Sequence, residues 1–110
     1  MINQHAASIS HEEETIKELR ASHEFAVEFL KTALAELDDP EYRAAGLLAL
    51  RDLAEAYGGL GSIAVEAGLD KEALNSALSA NGNPTLTTLL AVFNAVGVRL
   101  SVEPRSRAVA

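Results

Sequence analysis

The sequence contains no cysteine and few aromatic residues, which make up 5% of its 110 positions. Without cysteine the protein has no disulfide, no thiolate nucleophile and no cysteine-based zinc site. No uncharged apolar run reaches the roughly 18 residues of a membrane-spanning helix, and the N-terminal residues resemble no signal peptide, so we expect a cytoplasmic protein without a membrane partner. Because alanine and leucine dominate and both favour helices, we expect one all-α domain.

Basic side chains are scarce in the first half of the chain. The protein has a net charge of −7, and residues 1–56 hold five basic side chains against twelve acidic ones. Residues 57–110 hold four of each, so the excess of acid lies in the first half. A surface that binds nucleic acid needs basic groups. The first half is therefore predicted to contact a basic protein rather than DNA.

Apolar spacing predicts five helices after a polar, acidic arm over residues 1–21. The arm is compatible with a short helix from His11 to Arg20 and equally with disorder. Apolar residues at three- and four-residue intervals then predict helices over about 22–37, 40–57, 60–67, 71–79 and 85–96. The predicted core positions of the first, second and last of these are Phe25, Phe29, Leu30, Ala33, Leu34 and Leu37; Tyr42, Ala45, Ala49, Leu50, Leu53 and Tyr57; and Leu86, Leu89, Leu90, Phe93 and Val96.

A change from helical to alternating spacing follows Gly97. Apolar residues alternate with polar ones up to Pro104, which predicts one β-strand. A single strand needs a partner for its backbone groups, and no other segment of the chain alternates in this way. We predict that the strand pairs with its copy in a two-fold homodimer through Val98, Arg99, Leu100, Ser101 and Val102. The alternative is an extended tail along the helices. Residues 105–110 are predicted to be a flexible tail.

The segment from Leu60 to Ser79 has the residue types that a helix-turn-helix requires. Ala64 is small where two steeply crossing helices touch, Gly68 stands at the turn and Asp70 caps the second helix. The predicted core positions are Ile63, Ala67, Leu69, Leu74 and Ala77. The second helix would enter the major groove of DNA, and the candidate DNA-binding residues are Lys71, Asn75, Ser76, Ser79, Asn81, Asn83 and Thr85. The alternative is a helical hairpin of an ordinary bundle.

The stretch "ALRDLAEAYGGLGSIAVEAGLDKEALNSALSANGNPTLTTLLAVFNAVGVRLSVEP" and the upstream "HEFAVEFLKTAL" resemble a known family. They cover roughly residues 22–104 and are similar to the probable addiction-module antidote proteins, HigA-like antitoxins with an Xre-type helix-turn-helix. The resemblance implies a five-helix Xre/lambda-repressor-like domain over residues 22–104. It also implies an antitoxin of a type II toxin-antitoxin module, which neutralises a HigB/RelE-like toxin and, as a dimer, binds operator DNA to repress its own operon.

Basic residues of the family's recognition helix are missing here. Asp70 and Lys71 stand where the family pattern has Ser-Arg, Asn75 and Ser76 stand where it has Tyr-Arg, and Thr85 follows the proline where a basic residue is common. Fewer cations lower the affinity for DNA and its salt dependence. Two alternatives stay open: a stand-alone helix-turn-helix transcriptional regulator, and a protein-interaction module that has lost DNA binding.

No arrangement of residues predicts an enzyme, a cofactor or a metal. The three histidines, His5, His11 and His23, lie in or beside the arm and lack the i, i+4 spacing of a helical metal site. The acidic run at residues 12–14 is typical of a solvated surface. The glycines after Tyr57 are not followed by the lysine of a phosphate-binding loop. We expect no catalytic activity.

Overall fold

The computed structural model describes the backbone of residues 4–105 and the side chains of residues 11–105. Within this range the protein is all-α, as predicted, with six helices and no strand. The helices are α1 (Gln4–Ala21), α2 (His23–Leu37), α3 (Arg43–Ala56), α4 (Leu60–Ala67), α5 (Lys71–Ala77) and α6 (Leu86–Val96). Five helices were predicted, and the sixth is α1, which is longer than the short helix that we considered for the arm.

Helix α1 is joined to the rest of the fold at its C-terminal end. Leu19 is completely buried in the core. The guanidinium of Arg20 donates hydrogen bonds to the backbone oxygens of Glu55 and Ala56, each at 3.3 Å, and the hydroxyl of Tyr57 donates to Leu19 O at 3.2 Å. The end of the predicted arm is therefore fixed against the end of α3.

Helices α2 and α3 approach each other at backbone distance. Ser22 begins α2 as an N-cap, with its hydroxyl accepting from Phe25 N at 3.1 Å. Gly46 is buried in α3, and a Cβ atom at this position would lie 2.7 Å from Ala33 O of α2. A side chain of any size would force the two helices apart, so this glycine sets the spacing of the pair.

The inward face of α3 differs from the predicted one. Tyr42 is 51% exposed and Ala45 is exposed, whereas Leu47 is completely buried. The reason is a turn before the helix, in which Asp39 Oδ1 accepts from Glu41 N at 3.0 Å, so that α3 begins at Arg43 rather than near residue 40. The exposure of Tyr42 follows from its place in this turn.

Helices α4, α5 and α6 complete the core. Their buried apolar residues are Leu60, Ile63, Ala64, Leu74, Val92, Phe93 and Val96, with Leu78 just after α5. Three predicted core positions are wrong: Ala67 is exposed at the end of α4, and Leu86 and Leu90 are 58% and 43% exposed on α6. The predicted positions Phe93 and Val96 are buried, and Thr88 and Val92 complete the buried stripe in place of Leu86 and Leu90.

The segment after α6 turns away at Gly97, which has a φ of 88° and ends the helix in a left-handed conformation. His23 Nε2 lies 2.9 Å from Val96 O and must donate to it, because a carbonyl only accepts, so this histidine fastens the start of α2 to the end of α6. Residues 98–104 have no regular secondary structure. The predicted strand needs a second copy and stays a prediction. Of the predicted tail, residues 106–110 lie outside the described residues.

Candidate nucleic-acid interface and acidic surface

The connection between α4 and α5 has the local geometry that the residue types predicted. Gly68 has a φ of 70°, in the left-handed region that favours glycine. Ala64 and Leu74 are 1% exposed where the two helices meet. Asp70 caps α5, with Oδ2 accepting from Ala73 N at 3.0 Å. The short helix α5 is therefore held at a fixed angle to α4 and presents its other face to solvent.

The candidate DNA-binding residues lie on α5 and on the loop to α6. Five of them are exposed: Lys71, Ser76, Asn81, Asn83 and Thr85. Asn75 and Ser79 are half-buried. The loop packs directly on the end of α5, because a Cβ atom on Gly82 would lie 2.0 Å from Ala77 O. The helix and the loop consequently form one continuous surface.

The side chain of Asn75 on α5 accepts a hydrogen bond from an arginine of α3. The guanidinium of Arg51 donates from Nη2 to Asn75 Oδ1. Through Nη1 it also donates to the backbone oxygens of Asn75, at 3.4 Å, and Leu78, at 3.2 Å. These oxygens lie at the C-terminal end of α5, where helix carbonyls lack partners within the helix. Arg51 therefore anchors α5 to α3 and fixes the side chain of Asn75.

The loop is held by a second arginine of the same helix. Arg43 Nη2 donates to Asn83 Oδ1 at 3.1 Å, and Arg43 Nη1 donates to Leu37 O at 3.4 Å. No spacing pattern indicates either contact, because Arg43 and Asn83 are 40 residues apart and Arg51 and Asn75 are 24 apart. The two arginines were therefore not among the predicted site residues, although they hold two of them in place.

Other candidate residues have structural contacts as well. Thr85 caps α6, with Oγ1 accepting from Thr88 N at 3.2 Å, and Ser79 Oγ donates to Ser76 O at 2.8 Å. Lys71 is the one basic residue of α5, and it stands between the carboxylates Asp70 and Glu72. The surface of α5 and the loop is thus polar, and its one cation stands beside two exposed carboxylates.

The surface of α1, α2 and α3 is strongly acidic. Arg43 and Arg51 are half-buried and Arg20 is exposed, and all three donate to backbone oxygens. Lys31 forms an exposed ion pair with Glu28 at 3.6 Å. The exposed carboxylates of this half are Glu12, Glu13, Glu14, Glu18, Glu24, Glu28, Asp38, Asp39 and Glu41. These nine carboxylates outnumber the exposed basic side chains of residues 11–56, which are Lys17, Arg20 and Lys31.

The acidic groups of α1 and α3 also act on each other. Burial, together with the charges of Glu12 and Glu55, raises the pKa of Asp52 from 3.8 to about 6, against the opposing charge of Arg51. The carboxyl of Asp52 thus takes up a proton in mildly acidic solution. The raised pKa of Asp52 on α3 thus depends partly on the nearby charge of Glu12 on α1.

An open groove of about 970 Å³ separates α2 from the segment after α6. Its apolar lining includes Leu30, Leu34 and Phe93 on the helices. Leu100 and Val102 lie on the other wall and are 51% and 94% exposed. Apolar side chains with this exposure mark a surface suited to a protein partner.

Neither a metal site nor a membrane span is found in the part of the chain that the structure describes. Residues 11–105 contain no group of three or more histidine, aspartate or glutamate side chains placed to hold a metal ion. None of the helices between residues 4 and 105 is both long and apolar enough to cross a membrane.

Comparison with known proteins identifies the family. The model of the family described as probable addiction module antidote protein matches residues 11–104. An uncharacterised protein of Haemophilus influenzae (strain Rd) is 40% identical over 57 residues, which cover 52% of this chain and 58% of that protein. No solved structure matches the chain. The match to the family model includes both the acidic helices and the α4–α5 pair, and the chain belongs to the family of probable addiction module antidote proteins.

Proposed function

We propose that the protein is the antitoxin of a type II toxin-antitoxin module, which neutralises a HigB/RelE-like toxin and, as a homodimer, binds operator DNA to repress its own operon. Membership of the antidote family implies a toxin partner. The observation that carries the proposal is the acidic surface of α1, α2 and α3, where nine exposed carboxylates outnumber the three exposed basic side chains Lys17, Arg20 and Lys31 between residues 11 and 56. Because its targets are an mRNA-cleaving toxin and operator DNA, we place the protein in the cytoplasm.

The toxin is proposed to bind the acidic surface. An enzyme that cleaves RNA needs basic groups to bind the RNA phosphates, and a surface of exposed carboxylates complements such groups. The run from Glu12 to Glu14 is exposed on α1, which the contacts of Leu19 and Arg20 hold against the fold. The antitoxin would then block the basic surface on which the toxin binds its RNA.

The toxin contact can be tested by isothermal titration calorimetry with the toxin encoded in the same operon. We expect the triple variant Glu12→Gln, Glu13→Gln and Glu14→Gln to bind the toxin at least tenfold more weakly, with a smaller loss of affinity at high salt. A matched control removes two exposed carboxylates of the second half, Glu66→Gln with Glu103→Gln. Equal effects of the two variants would contradict an acidic docking surface on α1.

DNA binding is proposed for α5 and the loop after it. The support is the local geometry of a helix-turn-helix: the left-handed Gly68, the capped start of α5 and the small Ala64 at the crossing. In this arrangement α5 is the recognition helix, whose exposed side chains contact the major groove. The residues proposed for this contact are Lys71, Asn75, Ser76, Ser79, Asn81, Asn83 and Thr85.

The homodimer is proposed to form through residues 98–102. This segment has no partner for a ladder within residues 4–105, and it exposes Leu100 and Val102 beside the groove along α2. Pairing two copies as antiparallel strands would satisfy their backbone groups and cover these side chains. Sedimentation equilibrium tests the dimer, and Val102→Asp with Leu100→Asp should yield a folded monomer.

One observation favours a second function, a protein-interaction module that no longer binds DNA. The α5 region has one basic side chain, and several of its polar groups are engaged within the fold. A stand-alone regulator without a toxin is a further alternative. Anisotropy titration against the DNA upstream of its own gene tests the first alternative, and the calorimetric titration with the toxin tests the second. Specific binding excludes the first alternative, and a toxin that binds tightly excludes the second.

A further inference from the structure

We infer that the protein contacts DNA mainly through neutral amide donors, the Nδ2 groups of Asn75 and Asn83, each of which is backed by an arginine of α3. This inference rests on the DNA binding proposed above and specifies its chemistry. It accounts for a recognition surface that has one basic residue, Lys71, on its helix.

The orientation of both amides follows from the chemistry of their partners. A guanidinium has only donors, so the group that faces it must be an acceptor. The amide oxygens of Asn75 and Asn83 therefore face Arg51 and Arg43. The Nδ2 group is the other arm of the same planar amide and lies away from the arginine. Within residues 11–105, neither Nδ2 group has a hydrogen-bond partner.

The guanidiniums of Arg43 and Arg51 place positive charge on the side of Asn83 and Asn75 that faces α3. Arg43 Nη2 is 3.1 Å from Asn83 Oδ1, and Arg51 is bonded in the same way to Asn75. A charged donor on the amide oxygen polarises the amide and strengthens its N–H groups as donors. Both guanidiniums belong to half-buried residues, which are screened less than exposed ones. The surface thus offers strengthened donors in addition to its one exposed cation, Lys71.

A row of donors fits a partner that is rich in acceptors, and the edges and phosphates of DNA have this property. Guanine N7 and O6, adenine N7 and thymine O4 all accept hydrogen bonds in the major groove. Asparagine pairs with adenine in two-point fashion only when it also offers its oxygen, and the oxygen of Asn75 faces Arg51. We therefore expect Asn75 to discriminate adenine from guanine by less than about tenfold.

The test is an anisotropy titration of the full chain against its upstream DNA, with thermal melting of each variant. In Asn75→Asp, a carboxylate oxygen still accepts from Arg51, which preserves the anchor, but the outward donor becomes an acceptor. Ala73→Asp is the charge control, because Ala73 is exposed on the same helix and donates nothing from its side chain. We expect Asn75→Asp to bind at least tenfold more weakly than Ala73→Asp, with an unchanged or higher melting temperature.

The outcomes distinguish a failure of the inference from a failure of the DNA binding on which it rests. If wild type binds and the two aspartate variants lose equal affinity, Asn75 is only structural and the inference is wrong, while DNA binding stands. If wild type does not bind the DNA, the proposed DNA binding fails and the inference fails with it. Asn83→Asp repeats the test on the loop, where Arg43 stays bonded to the carboxylate, and should weaken binding by more than Ala73→Asp does.

Discussion

The two halves of this protein present different surfaces. In the first half, exposed carboxylates outnumber the exposed basic side chains, and Arg20 and the arginines of α3 donate to backbone oxygens. In the second half, α5 and the loop after it present amides, hydroxyls, Lys71 and Glu72, and the arginines of α3 place further positive charge behind the amides. Net charge by segment therefore describes the first half well but underestimates the positive charge behind the second.

The largest effect is expected from a substitution that disrupts the packing of α3 against α2. Gly46→Ala places a Cβ atom 2.7 Å from Ala33 O, so α2 and α3 must separate, and we expect a loss of about 2–3 kcal/mol in the free energy of unfolding. The matched control is Gly61→Ala in α4, where a Cβ atom meets only the flexible chain of Lys71 at 3.8 Å. Removing a helical glycine there should stabilise the protein by up to about 1 kcal/mol. Urea titration measures both, and a neutral Gly46→Ala would contradict the close approach.

The second largest effect is expected from removing Arg51, which links α3 to α5. Arg51→Met keeps much of the aliphatic length but leaves Asn75 Oδ1 and two backbone oxygens of the α5 end without their donor. We expect a loss of about 2 kcal/mol in the free energy of unfolding. Hydrogen exchange should locate the weakening in α5. Uniform exchange across the chain would show that Arg51 does not anchor this helix.

A smaller effect, a gain in the free energy of unfolding, is expected from replacing Asp52 in the acidic first half. The pKa of Asp52 is about 6 in the folded protein and 3.8 in the ordinary carboxyl, so the folded state binds more protons between these values and its stability falls as pH rises through this range. The penalty is complete above pH 6. A shift of this size corresponds to about 3 kcal/mol, which we reduce to about 1 kcal/mol because solvent screens a half-buried group.

Asp52→Asn removes that penalty. We expect the variant to be more stable than wild type by about 1 kcal/mol at pH 7 and equally stable near pH 3.5, as measured by urea titration across this range. Glu66→Gln on α4 is the control, since an exposed carboxylate away from other contacts should change stability by less than about 0.5 kcal/mol. A constant difference between wild type and Asp52→Asn at all pH values would refute the raised pKa.

The smallest expected effect concerns the exposed ion pair of α2. Lys31 and Glu28 are 3.6 Å apart, and their side chains are 70% and 68% exposed. Replacing Lys31 with Met should cost less than about 0.5 kcal/mol, because solvent screens such pairs. Thermal melting at low and high salt checks this value. A larger cost would mean that surface charge pairs help to hold the first half together.

Features that depend on neighbouring residues were predictable from the sequence. The caps Ser22, Asp70 and Thr85 and the turn at Gly68 follow local rules, and the boundaries of α2 to α6 agree to within a few residues, whereas α1 begins seven residues before the short helix considered for the arm. The rotation of α3 was not predictable, since it depends on the turn formed by Asp39. The Arg51–Asn75 contact joins residues 24 positions apart, and no spacing rule connects them.

The most direct test is the salt dependence of the DNA binding that we propose for the wild-type protein. Each cation that contacts a phosphate contributes close to one unit to the slope of log K against log salt concentration. If neutral amides make most contacts and Lys71 supplies the cation, the slope should be about −2 for a dimer. A slope steeper than about −6 would mean that basic groups elsewhere bind the phosphates, and it would contradict a recognition surface built on neutral donors.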